Sequence, residues 1–225
     1  MTKVNTKRLT ESAILIATAT VLTIVSSFLP GLPLGGSVTI MSALPIILIA
    51  YRYGVKWGLL SAFIFSIIQM LTGFKTVSAF FLPGDDQMVL WKAVCVCLID
   101  YILAYTVLGF GGLFRDKFEK PATALAVGSI FALVLRFLMH FTSGAIFFGS
   151  YAEWFFTQDA IAEIGAKVLN SFSGIGLATF YSFVYNATYM IPEIIITAIG
   201  AVVIGKIPAL NQKIKTNTLE TPIIK

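Results

Sequence analysis

The sequence predicts an all-α integral membrane protein, a bundle of six transmembrane helices with both termini in the cytoplasm. Hydrophobic residues make up 57% of the 225 residues, charged residues only 12%, and the mean hydropathy is +0.88. A compact soluble fold cannot hide that much apolar surface from water. The composition also excludes a disordered chain, a disulfide scaffold and a nucleic-acid-binding domain. Six apolar runs and an uneven distribution of Lys and Arg are the other two observations.

The first three apolar runs differ in length. The first covers about 9–29 and ends before Pro30, and the third covers about 57–73. The second run, about 39–50, is short for a full crossing and contains Pro45. We therefore expect it to be bent or partly re-entrant, and buried against its neighbours.

The last three runs are longer and cover about 88–113, 122–148 and 177–204. We expect Pro192 to kink the sixth run, because proline cannot donate a backbone hydrogen bond inside a helix. Residues 150–176 carry apolar side chains near helical spacing among charged ones. This segment predicts either a short amphipathic helix that lies on the outer face as a lid, or an ordinary surface loop. The whole chain, 1–225, is interpreted as a single transmembrane domain.

The basic residues predict the orientation. Six spans place both termini and the turns 51–56 and 114–121 on one side, and these segments hold twelve of the sixteen Lys and Arg residues. The other side has only Lys75, Lys92 and Lys167. Because basic residues concentrate on the cytoplasmic side of membrane proteins, both termini are predicted to be cytoplasmic.

Three ionisable residues, Asp100, Arg136 and Glu193, lie near the middle of predicted spans. A charge at this depth costs about 2.5 kcal/mol or more, so each is a functional candidate. The fourth span descends from outside and the fifth ascends from inside. Asp100 and Arg136 therefore reach similar depths, and we expect them to be counter-ions.

The fifth run carries a stripe of four unusual residues. Arg136, His140, Gly144 and Phe148 follow one another in steps of four, which keeps them on one slowly rotating face of a helix. They offer a cation, an imidazole, a gap where a ligand can approach the backbone, and an aromatic ring. This mixture suits a flat polar heterocycle. The alternatives are that His140 bonds a neighbouring helix and that Gly144 is a packing notch.

The sixth run carries a second cluster, made of Tyr181, Tyr185, Asn186, Thr188, Tyr189 and Glu193. Asn186, Tyr189 and Glu193 share one helix face, and Tyr181 lies about one turn nearer the outside. Tyr101 in the fourth run adds another aromatic ring. An amide can satisfy both a donor and an acceptor of a ring edge, whereas tyrosines near a helix end can also belong to an interfacial belt. The three spans together predict one pocket in the outer half of the membrane.

Two further observations concern partners. Ala13 and Ala17 in the first run are small residues four apart, which allows close approach by a helix of another subunit or of this chain. The sequence has no GxxxxGK[ST] motif, so any ATP-driven transport would need another subunit. We identify no metal cluster, no cofactor motif and no nucleophile–base pair.

Several segments in order resemble the thiamine-specific substrate-binding (S) components of energy-coupling factor (ECF) transporters. The resemblance covers most of residues 9–205 and is carried by GGSVT (35–39), ALPI (43–46), YRYG (51–54), LIDYI (98–102), RFLMHFTSGAIFF (136–148), YSFVYNATYM (181–190) and PE (192–193).

This resemblance implies a high-affinity thiamine site near the outer face of a six-helix protein of the prokaryotic plasma membrane. It also implies assembly with a transmembrane coupling subunit and two cytoplasmic ATPases, and no catalysis by this chain. The family's docking motif matches Ala13 and Ala17. Its binding positions match Asp100, Tyr101, Arg136, His140, Gly144, Phe148, Tyr181 and Asn186.

Three alternative functions remain open at this point. The same architecture could bind another vitamin or precursor. A small membrane enzyme could use His140 and Asp100 as acid and base. A stand-alone transporter could relay protons through Glu193 and His140.

Overall fold

A computed structural model describes residues 6–214, and this part of the chain contains helices and turns but no β-strand. Five of the helices are long and apolar enough to cross a membrane, and a sixth apolar helix is shorter. The predicted all-α membrane fold is confirmed. The helices are α1 (Thr6–Ser26), α2 (Leu44–Tyr53), α3 (Val55–Thr72), α4 (Phe74–Ala79), α5 (Leu90–Phe114), α6 (Pro121–Phe147), α7 (Ala152–Phe156), α8 (Ala162–Ser171) and α9 (Gly174–Gly205).

Helix α2 is the short, central helix of the bundle. All ten of its residues are buried, including Arg52. At about 1.5 Å per residue it covers only about half of the hydrocarbon thickness. Pro45 lies in its first turn, where proline is tolerated because those N–H groups have no helical partner. Pro45 therefore helps to start the helix and does not bend it, and residues 40–43 form bends and a turn before it.

Helix α5 is irregular along most of its length. An α-helical start, Leu90–Val96, widens into a π-helical segment, Cys97–Leu103, and the helix ends as a tight 3₁₀ segment, Val107–Phe114. The tight segment packs against α3 so closely that a Cβ atom on Gly109 would lie 2.4 Å from the Leu59 backbone nitrogen. The wide segment is the one that contains Asp100, and π-helical turns are found frequently at functional sites.

Helices α6 and α9 form a closely packed antiparallel pair. A Cβ atom on Gly144 would lie 2.3 Å from Ser182 Oγ, and one on Gly205 would lie 2.3 Å from Ala122 Cα. Small residues at such positions let membrane helices approach closely. Pro192 lies inside α9, which remains helical on both sides of it. This pair positions most of the residues described below.

Arg52 joins three parts of the chain at one end of the bundle. Its guanidinium donates to Glu11 of α1 at 2.8 Å and to the backbone oxygens of Ala209 and Leu210 at 3.1 and 2.9 Å. Lys213 lies 3.2 Å from Asp116 at the same end. These contacts bring together four segments that the orientation prediction assigns to the cytoplasm.

The cytoplasmic location of that end stays a prediction. Lys3, Lys215 and Lys225, on which the prediction also relies, lie outside the described residues.

The segment 150–176 folds into two short helices, α7 and α8, joined by a 3₁₀ turn. Phe155 and Phe156 of α7 are buried, and the Phe155 ring packs against Tyr181 of α9 with 5.2 Å between centroids. The segment is therefore neither a single helix nor an irregular loop. Its role as a lid stays a prediction.

Candidate substrate-binding cavity

A cavity of about 430 Å³ lies between α5, the C-terminal half of α6 and α9. Such a volume is within the range of about 300–1,000 Å³ typical of small-molecule sites. Six of the eight residues expected from the sequence line it, namely Asp100, His140, Gly144, Phe148, Tyr181 and Asn186. The structure does not place Tyr101 or Arg136 in its wall.

Asp100 presents its carboxylate to the cavity from the wide turn of α5. His140 Nδ1 lies 2.9 Å from Asp100 Oδ1, and Ser143 Oγ donates to Asp100 Oδ2 at 2.6 Å. The carboxylate is 18% exposed and the imidazole 13%. Two groups on α6 therefore orient the carboxylate, and neither contact requires a positive charge.

Arg136 pairs with Glu193, and the prediction that it pairs with Asp100 was wrong. Its Nη1 donates to Glu193 Oε1 at 2.6 Å, and its Nη2 donates to the hydroxyl of Tyr105 at 3.2 Å. The guanidinium also lies 4.5 Å from the centroid of the Tyr105 ring, a cation–π geometry. The side chains of Arg136 and Glu193 are only 5% and 1% exposed. The pair lies behind the cavity wall because α9 brings Glu193 to the depth of Arg136.

His140 connects this buried pair to the cavity. Arg136 Nε donates to His140 Nε2 at 3.3 Å. A guanidinium has only donors, so Nε2 accepts and the proton of the imidazole lies on Nδ1, which donates to Asp100. We infer a neutral imidazole in this arrangement. The charges of Glu193 and Arg136 then cancel each other. Asp100 supplies the remaining negative charge of this series of four hydrogen-bonded side chains.

Asn186 lies on the opposite wall with its amide bonded within α9. Its Nδ2 donates to the backbone oxygen of Ser182 at 2.8 Å and to Ser182 Oγ at 3.2 Å. Its Oδ1 accepts a hydrogen bond from the hydroxyl of Tyr189. These bonds fix the orientation of the amide at the cavity surface. A ligand that pairs with Oδ1 shares this acceptor with Tyr189.

Gly144 serves helix packing as well as lining the cavity. The Ser182 hydroxyl that a Cβ at this position would meet donates to the backbone oxygen of Phe141 at 2.7 Å. Gly144 therefore acts as a packing notch where α6 meets α9, as the alternative interpretation proposed. Its other side contributes open space to the cavity.

Tyr101 packs beside the cavity instead of lining it. Its ring contacts the cluster formed by Phe80, Ala93 and Val96, and a Cβ atom on Gly73 would lie 3.2 Å from its Cε1. Phe148 packs on the same cluster, so Tyr101 supports the part of the wall that carries Phe148. Its predicted contact with a ligand stays a prediction.

Comparison with known proteins identifies the family. The thiamine transporter protein family (Thia_YuaJ) matches residues 9–154. The chain belongs to this thiamine transporter family. It is 35% identical over 201 residues to the thiamine transporter ThiT of Bacillus subtilis (strain 168), a match that covers 85% of this chain and 86% of that protein. The sequence resemblance is thus confirmed at the level of the family, whose members are transporters.

The fold agrees with that of a solved structure. ThiT from Listeria monocytogenes superposes with a TM-score of 0.63 at 23% identity, and the match covers 92% of this chain and all of that one. Together with its apolar helices, membership of the thiamine transporter family makes the chain a multi-pass cell-membrane protein.

In this member of the thiamine transporter family, two tyrosines of the cluster noted on the sixth run line the cavity, although they were not among the eight binding positions that the resemblance implied. Tyr185 and Tyr189 continue the row begun by Tyr181, with successive centroids 5.7 and 5.9 Å apart. Their spacing of four along α9 was the available signal, since it predicts a continuous aromatic face. The row supplies ring faces opposite Asp100.

The connector before α2 closes one side of the cavity through Leu34 and Gly35. A Cβ atom on Gly35 would lie 3.2 Å from Cε2 of Tyr185, and one on Gly36 would lie 2.7 Å from Cδ1 of Tyr189. Both glycines have positive φ, 87° and 78°, which other residues rarely adopt. This pair lets the backbone lie directly on the tyrosine row.

The mouth of the cavity carries a second carboxylate. Tyr151 donates a hydrogen bond to Asp86 at 2.9 Å, and both residues line the cavity. This hydrogen bond, followed by burial, raises the pKa of the Tyr151 hydroxyl. No sequence pattern indicated this contact, because Asp86 lies in a loop that is remote from Tyr151 in the chain.

Proposed function

We propose that the chain is the high-affinity thiamine-binding subunit of an ATP-driven ECF uptake transporter. It forms one transmembrane substrate-binding domain with both termini in the cytoplasm, and it has no catalytic activity of its own. The observation that carries the proposal is the Asp100 carboxylate in the cavity wall, bonded to His140 and Ser143 and not to the nearby cation Arg136.

The chemistry of thiamine matches this site. Thiamine has a permanently cationic thiazolium ring, an aminopyrimidine ring and a hydroxyethyl arm. The Asp100 carboxylate offsets the cation and accepts from a ring amino group. The rings of Tyr181, Tyr185 and Phe148 offer faces for stacking and for cation–π contacts of about 2 kcal/mol when desolvated. Asn186 and His140 are available to the pyrimidine nitrogens and the hydroxyl.

Calorimetric titration of the purified protein with thiamine tests the proposal. We expect one site with a dissociation constant well below one micromolar, and weaker binding of other vitamins and pyrimidine precursors in a ligand panel. Absence of binding at micromolar thiamine would reject the proposal. Tighter binding of another member of the panel would assign the same architecture to that compound.

We predict that thiamine monophosphate binds at least about tenfold more weakly than thiamine. The described residues that line the cavity include Asp86 and Asp100 but no Lys or Arg. A phosphoryl group therefore meets carboxylates and finds no cation. Titration of the same preparation with both ligands measures the ratio, with free inorganic phosphate as the control. Equal or tighter binding of the phosphate ester would contradict this account of the cavity charge.

A second surface supports the assembly with a coupling subunit. Ala13 and Ala17 lie on the exposed side of α1, where they line an apolar groove of about 610 Å³ between α1 and α3. Leu60 and Ile64 of α3 form part of the opposite side. Small residues beside a groove leave room for a helix of another subunit. Because the sequence has no ATP-binding motif, the two ATPases reach this chain through the coupling subunit.

The structure gives a reason to prefer this mechanism to a proton-coupled one. Arg136 lies between Glu193 and His140 and bonds to both. Its guanidinium stays protonated in proteins, so it interrupts a direct proton relay between the two. We expect no uptake into vesicles that contain this chain alone, with or without a proton gradient. Gradient-driven uptake in such vesicles would favour the stand-alone transporter.

A further inference from the structure

The ion pair between Arg136 and Glu193 is buried but does not line the cavity. The two side chains join α6 to α9 through a contact of 2.6 Å. Glu193 Oε2 has no hydrogen-bond partner within the described part of the chain, so Arg136 is the group that stabilises this carboxylate. Neither side chain is part of the cavity lining.

The pair nevertheless determines the charge that a ligand meets. Arg136 Nε is bonded to His140 Nε2, and His140 Nδ1 to Asp100 Oδ1. With Glu193 in place, the charge of the guanidinium is cancelled and Asp100 remains as the net charge. Without Glu193, the uncompensated guanidinium of Arg136 would remain bonded to the imidazole of His140, on the side away from Asp100. Its positive charge would then offset the negative charge that Asp100 presents to a ligand. Buried charges are screened much less than exposed ones, so the guanidinium would act on the cavity through the imidazole.

We propose that Glu193 is a positioning residue that makes the cavity selective for cations, because it neutralises Arg136 and leaves Asp100 as the net charge. This inference rests on the proposed function. It assigns specificity to a residue whose carboxylate bonds to Arg136, through which it acts on His140 and Asp100.

The test compares two ligands of similar shape. One is thiamine, and the other is a neutral analogue in which an uncharged thiophene ring replaces the thiazolium ring. The measured quantity is the ratio of the two dissociation constants, obtained by calorimetry on the full-length protein. A defect in folding or packing changes both constants together, whereas a change in cavity charge changes their ratio.

We expect Glu193→Gln to reduce the preference for thiamine over the neutral analogue by at least about tenfold. Glu193→Asp keeps the carboxylate and should retain most of the preference. The control is Thr197→Val, a nearly isosteric change of a fully buried residue one turn further along α9. It should leave the ratio unchanged.

The double variant Arg136→Gln with Glu193→Gln separates charge from structure. A glutamine side-chain nitrogen is the same number of bonds from Cα as Arg Nε, so the donor to His140 is kept while both charges are removed. Removing both partners of a buried ion pair is tolerated better than removing one. Asp100 again remains as the net charge, and the preference for thiamine should be restored.

Two results would overturn the proposal. One is an unchanged ratio in Glu193→Gln, and the other is a double variant that stays as unselective as the single variant. If Glu193→Gln does not fold, the double variant alone decides. The proposal is then rejected if its preference for thiamine over the neutral analogue is less than a third of the native preference. A native protein that binds neither ligand would instead reject the proposed function itself.

Discussion

Replacing Asp100 by asparagine weakens thiamine binding by about two to three orders of magnitude, the loss expected when one member of a buried charged pair is removed. The asparagine keeps the size of the side chain and can still bond to Ser143 and His140. What it removes is the negative charge that offsets the thiazolium ring. Calorimetry or quenching of tryptophan fluorescence measures the change, and Asp100→Glu should retain much of the affinity because it keeps the charge.

Asp85 provides the matched control. It is an exposed carboxylate in the loop beside Asp86, and it does not line the cavity. Asp85→Asn removes the same charge from the same end of the protein, and we expect an affinity within about twofold of the native value, because exposed charges are screened by solvent and salt. Native affinity in Asp100→Asn would show that Asp100 is not a ligand. An equal loss in both variants would indicate general attraction of cations and not a defined site.

Tryptophan at Ala13 or Ala17 leaves thiamine binding intact and reduces uptake by at least about tenfold, because a large ring fills the groove that we propose as the docking site of the coupling subunit. Both alanines are on the exposed side of α1 and distant from the cavity, whereas Ala19 on the same helix is fully buried. The measurement requires two assays on each variant. Calorimetry gives the affinity for thiamine, and vesicles with the complete transporter give the uptake.

Ile14→Trp is the control for these variants. Ile14 neighbours Ala13 on α1 and is 60% exposed, but it does not line the groove between α1 and α3. We expect this variant to bind and transport as the native protein does. Full uptake by Ala13→Trp and Ala17→Trp would assign the coupling subunit to another surface. Loss of binding would mean that the groove and the cavity are coupled within the chain.

The part of the cavity wall that α6 and α9 supply was predictable from the sequence, because spacing along one helix decides which side chains share a face. The step of four from His140 to Phe148, and the position of Asn186 below Tyr181, needed only the periodicity of an α-helix. The same reasoning placed Tyr185 and Tyr189 in the cluster on the sixth run, and both line the cavity. Asp86 and Tyr151 were beyond its reach, because the contact between two loops has no periodic signal.

The partner of Arg136 was not predictable in this way. Depth alone made Asp100 and Arg136 plausible counter-ions, since both lie near the middle of neighbouring spans. In the structure α9 brings Glu193 to the guanidinium of Arg136, while His140 and Ser143 form hydrogen bonds with the carboxylate of Asp100. The choice between two carboxylates at one depth depends on how three helices are rotated about their axes, which spacing within a single helix cannot specify.

The sequence by itself determined that the chain crosses a membrane several times and that it belongs with thiamine transporters, and it singled out the polar residues within the spans as candidates for a site. It could do so because lipid forces every span to be helical and makes each polar exception costly. Only the tertiary structure decided that α2 begins at Leu44 and is buried along its whole length, that α5 widens at Asp100, and that Glu193 and not Asp100 neutralises Arg136. These features depend on packing between helices, where a rotation or a shift of one turn changes which charges meet.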